Sequence, residues 1–195
     1  MSHIGITYLH LTGALALTAV SSERTLLPGG TLVAAILSFV LIFLLGFARP
    51  GPYKYFLFAT FSILIGQLLA PQVKSLEAKG QLREVLASVA GIFLAMTVVG
   101  FVDKQNFLGF GGYLMAALIG LIVARLFLIV VKLGDPTSDV SKTNTMLNWV
   151  GTGLFAVFVA YDTQVLKQRK NKDYVDASLN LFLDIINLFT LQSDS

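Results

Sequence analysis

Along this chain, long apolar blocks alternate with short polar or Pro/Gly breaks. Seven blocks stand out, at about 6–22, 31–48, 53–71, 84–102, 107–131, 145–166 and 175–191. A run of about 18 to 25 apolar residues, rising 1.5 Å per residue as a helix, matches a hydrocarbon core roughly 30 Å thick. The pattern predicts an all-α membrane protein with seven transmembrane helices in a single transmembrane domain, 1–195. The breaks have physical causes. The second block stops at "RPGP", where two prolines and a glycine forbid continuation. The third gives way to a linker rich in Lys and Glu, and the sixth to the basic "KQRKNKD". No internal repeat or low-complexity segment interrupts the pattern.

The last block departs from uniform apolarity. Asp176, Asn180, Asp184 and Asn187 follow at steps of four, four and three, within one narrow sector of a helical wheel. Such a stripe should face a bundle interior or a water-filled cavity, where ionisable intramembrane residues usually lie. At 17 residues this block is as short as the first, the two shortest of the seven, and a re-entrant hairpin is the alternative to a full crossing. Asp162, in "VFVAYDTQVL" of the sixth block, is a second intramembrane carboxylate. It lies about 7 Å inside the Lys167 end of its helix, and Asp184 about 13 Å inside the start of the next. Antiparallel neighbours bring the two within reach. Carboxylates that meet in a low-dielectric site resist double ionisation, share one proton and titrate as a unit. That would make a proton-controlled latch. The alternative is that each Asp bonds a neighbouring backbone group or hydroxyl.

Two arginines are candidate counter-charges. Arg49 closes the second helix on the Asp162 side and reads either as a partner for it or as a headgroup anchor. Arg125 reads as snorkelling toward the opposite interface. Gln67 and Asn148 read as interhelical hydrogen-bonders, and His10 as an interfacial residue. Small residues at every fourth position, Gly112, Ala116, Gly120 and Ala124 in the fifth helix and Ala87, Gly91 and Ala95 in the fourth, predict faces of close packing within one bundle, with a dimer interface as the alternative.

Composition narrows the function. The chain is 55% hydrophobic and 13% charged, about half the charge of a soluble domain, with a mean hydropathy of +0.77. A net charge of +3 spread over the loops argues against nucleic-acid partners. With no cysteine, disulfides, thiolate metal sites and thiol catalysis are excluded. His3 and His10, the only histidines, leave little for a histidine metal site or a Ser-His triad. The first block reads as a retained helix rather than a cleaved signal, and "QSDS" carries no retention or lipidation signal. With Arg125 inside the fifth block set aside, Lys and Arg divide seven to six between the two faces. The density of "KQRKNK" beside a helix end puts that face in the cytoplasm.

"YDTQ", the basic linker and "DYVDASLNLFLDIINLF", spanning 161–189, resemble the C-terminal signature of the Bax inhibitor family, the transmembrane Bax inhibitor motif proteins. "YLHLTGALALTA" and "GQLLAP" resemble it more loosely. The resemblance implies a last helix that is central and surrounded by the other six. It implies a pH-sensitive calcium leak, with an anti-cell-death role in eukaryotic settings. The family's paired aspartates fall on Asp162 and Asp184 and its latch arginine on Arg49. An acidic residue that family members often carry in the second helix is here Ser38.

The leading expectation is a calcium leak channel. Asp162, Asp184 and Arg49 form the pH sensor and gate, and Asp162, Asp184, Asn180, Asn187 and Asp176 line the ion pathway. The two gate carboxylates serve as transient Ca²⁺ ligands. No cofactor is expected, Ca²⁺ being the permeant ion, and no enzymatic activity. Partners are the lipid bilayer, calcium ions and protons. A competing reading is an intramembrane aspartyl protease, whose dyad also sits on two helices. Such an enzyme needs glycines before its second Asp, where this chain has Leu181, Phe182 and Leu183. A third is a non-conducting scaffold binding membrane-protein regulators of cell death. Bacterial inner membrane and eukaryotic endomembrane fit equally well.

Overall fold

The computed structural model describes residues 2–23, 30–102, 106–168 and 173–194. Arg24, Lys104, and Arg169, Lys170 and Lys172 of the basic linker, all used in the charge count, lie outside the described residues. Among the described residues seven α-helices run as α1 (His3–Ser22), α2 (Gly30–Phe47), α3 (Pro52–Ala78), α4 (Leu82–Phe101), α5 (Gly111–Gly134), α6 (Ser141–Gln168) and α7 (Tyr174–Ser193). A 3-10 turn, Phe107–Phe110, leads into α5, and the described residues contain no strand. Each of the seven is long and apolar enough to cross a bilayer, α7 included at 20 residues. The fold is all-α with seven membrane-spanning helices.

The boundaries follow local chemistry. Ser2 caps α1 by accepting from the Gly5 amide at 3.2 Å. Pro52 opens α3 at its first turn, where a missing N–H costs nothing. The Lys/Glu linker expected after residue 71 is instead helical: α3 runs through Pro71 to Ala78. Pro71 forfeits the bond to the Gln67 carbonyl and crowds it, and the buried Leu76 gives the extra turns an apolar anchor. The helix stops where Gly80 takes φ +70°, with Gly80 N–H donating to Glu77 O at 3.0 Å and Gln81 N–H to Leu76 O at 2.9 Å. That is the paired-bond ending that glycine permits.

The helices form two compact units, and α7 gives its first half to one and its second half to the other. The first comprises Met1–Arg83 with Gln168–Leu183. Here α1 and α2 pack on α3. Thr18 and Ser21 of α1 donate hydroxyls to the Ser62 and Ile63 carbonyls of α3, at 2.9 and 3.0 Å. Gln67 donates to the Ser21 carbonyl, as its interhelical reading expects. Gly66 permits this approach, since a Cβ there would lie 3.1 Å from Ser21 Cβ and closer still to its hydroxyl. The first half of α7 is held by Ser178, donating to the Thr7 carbonyl at 2.9 Å, and by Phe182, whose ring meets the edges of Phe58 and Phe61.

The second unit comprises Glu84–Lys167 with Asp184–Ser195. Helices approach closely in it at several glycines. A Cβ on Gly100 of α4 would lie 2.6 Å from the Ala160 carbonyl oxygen of α6, and one on Gly151 of α6 would lie 2.9 Å from Leu191 of α7. The small-residue faces do not pack as expected. Gly112, Ala116 and Gly120 are exposed, as are Ala87, Gly91 and Ala95, and nothing lies within 4 Å of a Cβ built on Gly91, Gly112 or Gly120. α4 buries Val89, Phe93, Thr97 and Gly100 instead, and α5 buries Leu114 and Leu121. In a bilayer, lipid tails are as apolar as leucine, so a small face gains from close packing only where another helix meets it.

Candidate functional site

Asp162, one turn and a half before the end of α6, and Asp184, at the middle of α7, meet in the second unit. Asp162 makes a side-chain hydrogen bond to Asp184, and its charge acts on that carboxyl. Asp184 is 4% exposed, and its Oδ2 has no hydrogen-bond partner among the described residues. A lone carboxylate at a membrane helix centre costs about 2.5–3.5 kcal/mol on insertion scales. A hydrogen bond between two carboxyl groups requires a proton on one of them, which leaves one negative charge where two would otherwise sit. The other stripe members, Asp176, Asn180 and Asn187, are all at least partly buried, so α7 turns none of the four stripe positions fully outward.

Asp176 has a cationic partner that the sequence pattern missed. Lys54, in the first turn of α3, is 2% exposed and places Nζ 2.7 Å from Asp173 Oδ2 and 2.6 Å from Asp176 Oδ1. Asp173 also caps α7, its Oδ1 accepting from the Asp176 amide at 3.2 Å. Burial pushes the Asp173 carboxyl up. The Lys54 hydrogen bond, the Asp176 amide and the lysine's charge together outweigh burial and hold it below the usual carboxylate range. Beside this clasp, Tyr174 lies between His3, edge-on at 5.0 Å, and His10, stacked at 6.4 Å, while His10 stacks on Tyr55 at 5.0 Å. In the sequence, Lys54 stands at the start of the third block and counts only toward the charge of its membrane face. The signal that could have found its role is the Asp-x-x-Asp spacing at the head of α7, which is a cap and a chelate for one cation.

Arg49 follows the end of α2 as an exposed residue, and Ser38 is buried in α2 with no hydrogen-bond partner for its Oγ among the described residues. Arg125 does not stand alone at an interface. Its guanidinium donates to Asn144 Oδ1 at 3.3 Å and to Asn148 Oδ1, both on α6. No group of three or more His, Asp or Glu side chains suited to holding a metal occurs among the described residues.

Seven apolar spans with ionisable groups buried inside them define a multi-pass integral membrane protein. The chain belongs to the Bax inhibitor family: residues 1–191 match the family described as Inhibitor of apoptosis-promoting Bax1. It is 28% identical to an uncharacterized protein of Helicobacter pylori J99 over 97% of this chain and 83% of the relative. It is 29% identical to Bax inhibitor 1 of Schizosaccharomyces pombe over 95% of this chain and 65% of that protein. It is 30% identical to the inner membrane protein YbhL of Escherichia coli K12 over 69% of this chain and 59% of that one. The matched region thus spans less than two thirds of the last two proteins.

Proposed function

We propose that this protein is a pH-sensitive calcium leak gated by Asp162 and Asp184. The observation that carries the reading is the contact between these two carboxyls, one on each of two membrane-spanning helices. With one proton between them the pair bridges α6 to the second half of α7, and the remaining negative charge is what Arg49 would hold in the closed state. A second proton removes the charge that attracts the arginine. Loss of the shared proton sets two like charges against each other in a medium that screens them poorly. Either change alters the relative stability of closed and open forms, which makes the leak depend on pH. When open, the two carboxylates, with Asn180 and Asn187 further along the stripe, offer the hard oxygen ligands that Ca²⁺ prefers, held loosely enough to release it. Asp176 contributes less to that path because its carboxylate is engaged by Lys54.

The protease reading loses support at Leu181 and Phe182, both buried, with Phe182 wedged against Phe58 and Phe61. A substrate strand would need that space. The test of the leak is calcium release from loaded proteoliposomes holding the purified protein. Release above protein-free vesicles supports it. No release, with partner proteins retained on the same preparation, favours the scaffold.

A further inference from the structure

Three helices of the second unit converge on one buried amide. Asn148 of α6 is 1% exposed. Its Oδ1 accepts from Arg125 of α5, and its Nδ2 donates to the Asp194 carbonyl, just past the end of α7, at 3.0 Å. Because the guanidinium can only donate, it fixes which end of the amide faces α5, and the NH₂ must then point at α7. Burial pushes the Asp194 carboxyl up and the Arg125 charge pulls it back, so the cation also acts on the end of the chain. One turn inward, Gly151 admits Leu191 of α7 and Leu121 of α5, whose side chains would stand 2.9 to 3.1 Å from a Cβ there. Leu121 and Arg125 lie four apart on one face of α5.

These contacts share a register. Stepping three residues along α6, from Asn148 to Gly151, matches stepping three back along α7, from Asp194 to Leu191. Continuing the same antiparallel run brings Asp162 to the level of Asp184 within about one helical turn. The acid pair therefore meets only while this end of α7 keeps its axial position on α6.

We infer that Arg125 is a positioning residue for the acid pair: through Asn148 it locks the register of α6 against the second half of α7. It touches neither carboxyl of the pair, and its effect on flux rests on the leak reading above. Its effect on register does not.

Since the chain has no native cysteine, the register can be read by a single engineered pair, Gly151→Cys with Leu191→Cys. Mild oxidation of the folded, full-length protein should close this disulfide quickly. Adding Arg125→Gln should slow closure about tenfold and Asn148→Ala similarly, Arg125→Lys should recover much of the rate, and Lys132→Gln, a charge change on the same helix, should leave it alone. If Arg125→Gln does not fold, the Arg125→Lys and Asn148→Ala rates decide. Closure at the parent rate in Asn148→Ala would overturn the inference. In the cysteine-free protein, Arg125→Gln should also raise leak at the pH where the parent leaks least. Slowed closure with unchanged leak would overturn the link to the gate, whereas absent leak in the parent would defeat the channel reading and leave the register result standing.

Discussion

Lys54 at the head of α3 and Asp173 at the head of α7 form a buried ion pair, 2.7 Å from Nζ to Oδ2, although 119 residues separate them in sequence. Asp173 does two things at once, capping α7 with one oxygen and neutralising Lys54 with the other. The clasp thereby fixes where the last helix starts.

Removing one partner of such a pair strands the other charge away from water. Lys54→Ala should cost about 3–5 kcal/mol. Asp176→Asn should cost about 1 kcal/mol or less, because the Asp176 side chain is 39% exposed and solvent compensates the loss. Unfolding midpoints of the detergent-solubilised variants check the ordering. Equal losses at both positions would contradict it.

The Asp173 carboxyl is held below its usual range, so its contribution is present above the unfolded-state value near 4 and fades as pH falls through the lower folded value. The parent should therefore exceed Asp173→Asn in stability by a constant margin from about pH 7 to 5, and by a shrinking one below about pH 4. Asparagine keeps the cap, so the comparison isolates the charge. Thermal unfolding across that range tests this, and a margin that grows with acid would refute it.

Gly100→Ala places a Cβ 2.6 Å from the Ala160 carbonyl and should destabilise by about 1–3 kcal/mol. Gly112→Ala meets nothing within 4 Å and should be close to neutral or slightly stabilising within its helix. The pair of unfolding curves separates a helix contact from an open face.

The seven spans were legible because bilayer thickness imposes a length that composition alone reveals. Pro71 was not legible as a helix interior, because proline marks an end unless a later anchor such as Leu76 outweighs the lost bond. The four-residue rows of small side chains indicated where helices can approach closely, but not whether a helix arrives. Close approaches occur instead at glycines 66, 100, 111 and 151, none of which belongs to those four-residue rows. The contact of Asp162 with Asp184 could be anticipated from depth on adjacent antiparallel helices. Lys54 and Arg125 could not be paired, since their partners lie far along the chain and depend on which faces turn inward.

Ser38 offers a separate handle on permeation. If an acidic group at this buried site adds to the ion path, Ser38→Asp should raise calcium release several-fold over the parent at the pH of greatest leak, while the Asp162→Asn background should cancel the gain. Proteoliposome flux measures both. A rise that survives in the Asp162→Asn background would separate permeation from the acid pair.

The central claim, that Asp162 and Asp184 hold one proton between them and that its exchange gates the protein, is tested most directly by calcium flux from proteoliposomes across a pH series, with Asp162→Asn and Asp184→Asn beside the parent. The account predicts a parent whose flux changes with pH and two variants whose profiles are flat. Parent-like pH profiles in both variants would contradict it.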